Sequence, residues 1–518
     1  MRTHAKQIFW NALLLTAASL MMRTVGVWFQ VYVSNRAGAE AMGLFSLMSG
    51  VYGFALTIAT SGIQLGVTRV ITEAIGEGRS ERIASAMRHA VLYALCFGVG
   101  AAALIAGFAE EIGLLWLKDA RTVHSLRLFA ISLPLISLSS VFSGYFTAVR
   151  RPYKNAAAQV FEQFVKILFS MYLLTLLLPG GIETTCCALV LGGSLAEIAS
   201  FLLALLLYAL DRRHHKREGL KCDGRAERKK LIRISLPIAF TAYIRSGLIT
   251  LQHILVPEGL RNSGASHEAA LIAYGSIHSM AMPVILYPAA LIASFSGLLI
   301  PELAECRVQK AERRIRYMIA RVWSLALLFS IGTAGVLICF SQEIGEALYP
   351  NTETGKYIRM LAPLIPIMYV DTATDAMMKG LGEEVYSMNV NIVDALISVV
   401  LVWILIPTFG MEGYLFTIYF SELFNTVLSI HHLLSVSHTP VRLFKWVYKP
   451  LLCIVGSTTV VRAVLMLTGF TINNAVLSIL LHCSAVILLY LLFLRLTGAL
   501  EQEETTWIRT LFRARENS

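Results

Sequence analysis

Charge is scarce in this chain. Asp, Glu, Lys and Arg make up 15% of its 518 residues, where an ordinary globular chain carries about 25%. The apolar share is 56%, more than a single core can bury at this length, so the solvent around the fold is lipid. Marks of catalysis are missing too. There is no P-loop, dinucleotide fingerprint, nucleophile elbow or H-E-x-x-H, which leaves no nucleotide site to power work and argues against an enzyme. No cofactor is implied. The eight cysteines have no C-x-x-C spacing, and all but Cys222 and Cys306 lie in or beside apolar stretches. They read as small buried hydrophobes rather than metal ligands or a disulfide framework. The pairs His214-His215 and His431-His432 lack ligand spacing as well, so no metal site is expected.

What is present is a series of apolar segments of the length a bilayer core requires, about 20 residues. They fall near 7–33, 41–70, 88–109, 125–149, 156–178, 184–210, 234–256 and 268–299. Six more follow near 318–340, 356–378, 388–407, 412–435, 450–468 and 474–496. The expected fold class is therefore an all-α integral membrane protein with about fourteen transmembrane helices. Arg2 and Lys6 precede the first run as in a signal peptide, but the run continues to Val33 without a clear cleavage site. It reads as a retained span.

The net charge of +11 would suggest nucleic acid in a soluble chain. Here it reports orientation, because the basic residues sit in short loops. With the N-terminus inside, only Arg36, Lys118, Arg121, Arg127, Arg261, Lys356 and Arg359 of the 44 Lys and Arg fall outside. Arg23, Lys166, Arg245 and Arg462 fall within spans, and the rest are cytoplasmic, ten of them between Asp211 and Arg233. Both ends are expected in the cytoplasm of a multi-pass protein of the cell membrane.

An internal repeat stands behind the spans. Glu111-Ile112-Gly113 recurs as Glu343-Ile344-Gly345, 232 positions on. At the same offset Arg127 meets Arg359, Ala130 meets Ala362, Pro134 meets Pro366, Gly43 meets Gly275, Met48 meets Met280, Glu73 meets Glu305 and Glu162 meets Asp394. The unit is six helices, an even number, so the copies are parallel and the substrate site is expected between them. This predicts an N-lobe at 1–210, a basic cytoplasmic linker at 211–233 and a C-lobe at 234–435. A cytoplasmic loop at 436–449, two added helices in 450–496 and a cytoplasmic tail at 497–518 complete the chain.

A charge at mid-bilayer costs about 2.5–3.5 kcal/mol on insertion scales, so each one needs an account. Arg23 and Arg245 open the two repeats, and neither has an acid at i+3 or i+4. Two forked guanidiniums would clamp an anion such as a phosphate, or each would pair with an acid or carbonyl on another helix. Glu162 and Lys166 are spaced to neutralise each other or to line a cavity. Asp371 and Asp375 share that spacing with like charge, which suits a coupling cation or proton, or pairing with bases such as Lys379. Gln64 and Arg69 end the second span, where Arg69 is either an interfacial anchor or part of a binding surface. Glu197, Asp394, Glu422 and Arg462 are isolated, and interhelical hydrogen bonding is the default for each. Arg23, Arg245, Gln64, Arg69 and Lys166 are thus the candidate substrate contacts, and Asp371, Asp375 and Glu162 the candidate coupling-ion residues.

Several stretches together resemble the multidrug/oligosaccharidyl-lipid/polysaccharide exporter superfamily, and within it the stage V sporulation protein B and oligosaccharide flippase branch. They are Arg23, Ala59-Thr60-Ser61-Gly62-Ile63 running to Arg69, and Met282-Pro283-Val284-Ile285-Leu286-Tyr287-Pro288. Ile300-Pro301-Glu302-Leu303-Ala304-Glu305 and Lys379-Gly380-Leu381-Gly382 belong with them. The resemblance implies two lobes alternating between inward-open and outward-open states. It also implies a cargo of polyprenyl-pyrophosphate-linked oligosaccharide or cell-envelope precursor, whose anion would meet the arginines while its tail stays among membrane lipids. A proton or sodium ion at the acidic candidates is the further partner the residues suggest, and the sequence does not name the energy source. The alternatives are a cation-coupled multidrug exporter of the same superfamily and a membrane-embedded glycosyltransferase or polymerase. The latter needs an outer catalytic loop that this sequence does not offer.

Overall fold

The computed structural model describes residues 2–77, 80–214, 225–349, 353–468 and 475–499. The centre of the basic linker, with Cys222, and the tail from 500 lie outside the described residues. All fourteen predicted segments are helical, and no strand occurs among the described residues. Twelve helical stretches are long and apolar enough to cross a membrane. Leu20–Gly76 counts there as one stretch although it turns at Gly38, and His267–Leu286 and Ala289–Val308 divide the predicted eighth span. The predicted tenth and twelfth spans are helical outside those twelve.

The helices used below are α1 (Arg2–Thr60), α2 (Ile63–Gly76), α3 (Ser80–Gly107), α4 (Val123–Ala148), α5 (Pro152–Leu177), α6 (Ile182–His214), α7 (Arg225–Asn262) and α8 (His267–Gly275). They continue with α9 (Met282–Leu286), α10 (Ala289–Val308), α11 (Glu312–Cys339), α12 (Ser341–Leu348), α13 (Glu353–Leu361) and α14 (Ile365–Gly380). Last come α15 (Glu384–Phe409), α16 (Met411–Ser437), α17 (Lys449–Thr468) and α18 (Ala475–Leu496).

Packing groups these helices differently from the expected halves. Two compact units form, unit 1 from Met1–Asn35 with Ser276–Ser518 and unit 2 from Arg36–Gly275. The division falls beside Gly38 rather than in the basic linker. Gly38 adopts φ 82° and ψ 167°, a conformation that costs a side-chain-bearing residue but not glycine, and it redirects α1. Before it, Arg23, Thr24 and Gln30 bond to Leu286, Tyr287 and Ser279. After it, α1 is tied to α7: Thr57 donates to Ser246 at 3.0 Å, Tyr243 to the Ile58 carbonyl at 3.2 Å and Thr250 to the Gly50 carbonyl at 3.0 Å. Each repeat's opening helix thus packs on a unit built mainly from the other repeat.

The repeat is also visible in local packing. A methyl group on Gly113 would strike Thr122 and Val123, and one on Gly345 would strike Gly355 and touch Thr354, the same partners at the 232-residue offset. Within unit 2 the symmetry becomes reciprocal. A methyl on Gly43 would lie 2.1 Å from the Leu271 carbonyl oxygen, and one on its counterpart Gly275 would lie 2.4 Å from that of Ala39. Ala39 and Leu271 are themselves 232 apart. Lipid tails are as apolar as leucine, so close packing of small residues, rather than escape from water, holds such helices together.

Three of the bases on the predicted outer side of unit 2 are matched by acids. Arg121 bonds Asp119 at 2.7 Å and Glu40 at 2.9 Å, Lys118 pairs with Glu258, and Arg127 meets Glu110 at 2.6 Å. His267 joins Asp119 to Arg261 through its two ring nitrogens. Burial opposes the Asp119 charge, but the hydrogen bonds from Arg121 and His267 outweigh it and hold that carboxyl below the usual carboxylate range. At the other end of the helices, Asp211 accepts from Arg151, from Lys154 at 2.6 Å and from Tyr145 at 3.1 Å. That cluster fixes the α4–α5 turn on the end of α6.

Candidate functional site

In unit 1 the chain breaks between α9 and α10. Pro283 and Pro288 flank the break, and proline cannot supply the amide that a continuous helix needs. Ala290 N–H turns back to Tyr287 and Leu291 N–H to Pro288, which leaves the Leu286 carbonyl available. Arg23 donates to it at 2.9 Å while remaining exposed. Thr24 meets the Tyr287 hydroxyl at 2.9 Å, and Gln30 donates to the Ser279 carbonyl at 2.9 Å. Arg23 therefore has a carbonyl rather than an acid as its partner, one of the two options the sequence left open. Arg245, in unit 2, is exposed and has no hydrogen bond or ion pair among the described residues.

Unit 2 carries an acidic station between α5 and α6. Glu162 on α5 and Glu197 on α6 lie within each other's fields. Lys166 contributes charge to both acids from a distance but forms no ion pair with Glu162 among the described residues. The intrahelical ion pair that spacing allows does not form among the described residues, where α6 brings Glu197 near Glu162.

Unit 1 carries the counterpart, between α14, α15 and α16. Ser421 donates to Asp394, the repeat equivalent of Glu162, at 2.7 Å. Asp375 accepts from Lys379 at 2.6 Å and from Ser387 at 2.6 Å. Asp371 lies within the fields of Asp375 and Asp394, and Glu422 within those of Asp371 and Asp394. One oxygen of Asp371, Oδ1, is buried with no hydrogen-bond partner among the described residues. The like-charge pair of the sequence thus divides into a neutralised Asp375 and an Asp371 with spare acceptor capacity. Asn391, Asn425 and Ser429 join the cluster: Asn425 donates to Asn391 at 3.2 Å and Ser429 to Asn425 at 3.3 Å. These amides were missed in the sequence, although Ser421, Asn425 and Ser429 recur every four residues and so mark one polar face of α16.

The remaining candidates are peripheral to both stations. Gln64 is exposed, with no side-chain hydrogen bond among the described residues. Arg69 pairs with Glu73 at 3.4 Å, and Lys230 reaches the other oxygen of Glu73, as an interfacial anchor would. His432 bonds Glu383 at 3.2 Å and stacks on Tyr386. No group of three or more potential metal-binding side chains occurs among the described residues.

The family described as polysaccharide biosynthesis protein matches residues 8–307, and the family described as MatE matches residues 265–404. The chain is similar to stage V sporulation protein B of Bacillus subtilis, with 25% identity over 416 residues, 79% of this chain and 80% of that one. It is also similar to sporulation protein YkvU of the same organism, with 21% identity over 388 residues, 73% of this chain and 84% of that one. Among solved structures, the lipid II flippase MurJ in an inward closed conformation shares the fold at a TM-score of 0.68 and 15% identity, over 93% of this chain and 98% of that one. A multidrug resistance MATE family transporter of the MOP superfamily, in its inward-facing conformation, does so at a TM-score of 0.64 and 14% identity, over 83% and 99%.

Proposed function

We propose that this chain, which belongs to the polysaccharide biosynthesis protein family, moves a polyprenyl-pyrophosphate-linked oligosaccharide or cell-envelope precursor across the cytoplasmic membrane. It is a multi-pass membrane protein with the fold of the flippases and exporters of its superfamily. The observation that carries the reading is the state of Arg23 and Arg245. Both are exposed guanidiniums within spans, and neither is neutralised by an acid among the described residues. Such residues suit an anionic group, each on its own unit, and forked donors match phosphate oxygens. Gln64 and Lys166 are proposed as further contacts, with Arg69 at the edge of the membrane.

We assign the drive to the acidic stations. Asp371, with an unpartnered oxygen, and the neighbouring acids Glu162 and Glu197 are the groups suited to a proton or sodium ion, and Asp375 supports Asp371. A second reading, a cation-coupled multidrug exporter, is favoured by the same acids and by the MatE match. Proteoliposomes separate the two. A fluorescent polyprenyl-pyrophosphate sugar should cross in a protein-dependent manner, whereas a cationic dye should not. Asp371→Asn should remove most of the dependence on an imposed pH or sodium gradient. Dye export without movement of the lipid-linked sugar would overturn the flippase reading.

The basic residues support an arrangement with both ends in the cytoplasm. Single cysteines within 211–233, in a cysteine-free background, should react with an impermeant maleimide only after the membrane is opened. One at Asn262 should react in intact cells. The reverse pattern would invert the topology.

A further inference from the structure

A cavity of about 720 Å³ lies in unit 1 between α11, α17 and the start of α14. Its α11 wall runs from Leu327 through Ile331 and Ala334 to Ile338, residues three or four apart on one helix face, and ends at Cys339. Ile454, Val455 and Thr458 form part of the facing α17 wall, and Pro363 and Pro366 close the third side. At a rise of 1.5 Å per residue the α11 wall is about 18 Å long, close to one leaflet of an apolar core of about 30 Å. The trough is mostly apolar, and Arg359 and Arg462 both line it. Arg462 donates to the carbonyl of Cys339, the last residue of α11.

The repeat explains why Arg359 is available. Its counterpart Arg127 is bound by Glu110 at 2.6 Å. The residue equivalent to Glu110 is Gln342, a neutral amide that donates to Glu346 at 2.7 Å instead. Arg359 accordingly has no ion pair or hydrogen bond among the described residues. The first copy closes its arginine with an acid. The second leaves it open where α17, a helix outside the repeat, adds another wall and a second guanidinium.

We infer that this trough is a binding site for one anionic phospholipid, its phosphate on Arg359 and Arg462 and an acyl chain along α11 and α17. Two charges of one sign in a mostly apolar slot one leaflet long complement a lipid in both charge and shape. A soluble anion would leave the slot unused, and a neutral lipid would leave the guanidiniums unused. Arg462 meets the C-terminal end of α11, opposite its basic start at Arg313 and Arg314, which places the lipid in the leaflet away from the basic face. The site does not depend on the identity of the transported cargo.

The test is lipid retention by native mass spectrometry of the purified full-length protein, delipidated and then offered phosphatidylglycerol or phosphatidylcholine. The wild type should retain one phosphatidylglycerol with at least a tenfold preference. Arg359→Gln should reduce the preference below threefold. Ala463→Trp, which fills the trough and keeps both arginines, should lose the bound lipid while keeping the elution volume of the wild type. Equal retention of the two lipids by the wild type would overturn the site, as would undiminished retention by both variants. Displacement by inorganic phosphate as effective as by short-chain phosphatidylglycerol would mean that the trough plays no part. Preference for a polyprenyl phosphate over phosphatidylglycerol would reassign the slot to a different lipid.

Discussion

Arg245→Gln should lower translocation by about 10–100-fold while leaving the amount of protein in the membrane unchanged. A charge-assisted hydrogen bond contributes about 1.5–3 kcal/mol, and each 1.4 kcal/mol is a factor of ten. Losing one contact to a phosphate therefore accounts for an effect of that size. Abundance should hold because Arg245 completes no ion pair among the described residues, so its removal strands no buried acid. Arg23→Gln should lose a similar amount of activity with a small cost in stability, because the Leu286 carbonyl loses its donor. Lysine at either position should recover only part of the rate, since an ammonium keeps the charge but not the fork. Membrane abundance and translocation need to be measured together. A well-expressed double glutamine variant that transports normally would remove both arginines from the mechanism.

Gly43→Val should abolish stable expression, and Gly275→Val should do the same. Overpacking commonly costs about 1–3 kcal/mol when neighbouring side chains can yield. Here the obstacles are backbone: the Leu271 carbonyl oxygen at 2.1 Å for Gly43, and the Ala39 oxygen at 2.4 Å and Gly43 N at 2.6 Å for Gly275. No rotamer change relieves them, so the two helical segments must separate. Gly53→Ala and Gly100→Ala are the controls, each with nothing within 4 Å of the new carbon. They should be neutral or stabilising by up to about 1 kcal/mol, the helix propensity difference. Detergent size exclusion and thermal unfolding would read all four variants. A monodisperse Gly43→Val protein with the melting temperature of the wild type would show that the contact does not hold the helices together.

The helices were legible because a bilayer demands apolar runs of fixed length, and the repeat because a polar tripeptide rarely recurs in register by chance. Which helices pack together was not legible. Nothing in an apolar run states that α7 lies against the second half of α1, since that choice rests on hydroxyl-to-carbonyl bonds such as Thr250 to Gly50. Spacing left the partner of Lys166 open, because the i,i+4 rule knows only one helix and Glu197 arrives from another. The Leu286 carbonyl that receives Arg23 had a readable cause in Pro283 and Pro288. The freeing of Arg359 had one too, in the exchange of Glu110 for Gln342 between the repeats.

The reciprocal contact of Gly43 with Gly275 bears on how the chain arose. In a tandem duplication, a residue that touches its own copy marks the axis about which two separate chains once paired, where a surface had to complement itself. If the repeat arose from a chain that paired with its own copy, one codon would have set both sides of that contact, and any larger residue would have clashed with itself twice. After fusion each codon could vary alone, yet the backbone of the other still forbids a side chain at either place. Elsewhere the copies were released from this constraint, and Glu110 and Gln342 diverged. The glycine pair keeps a local two-fold relation between two copies that have otherwise diverged.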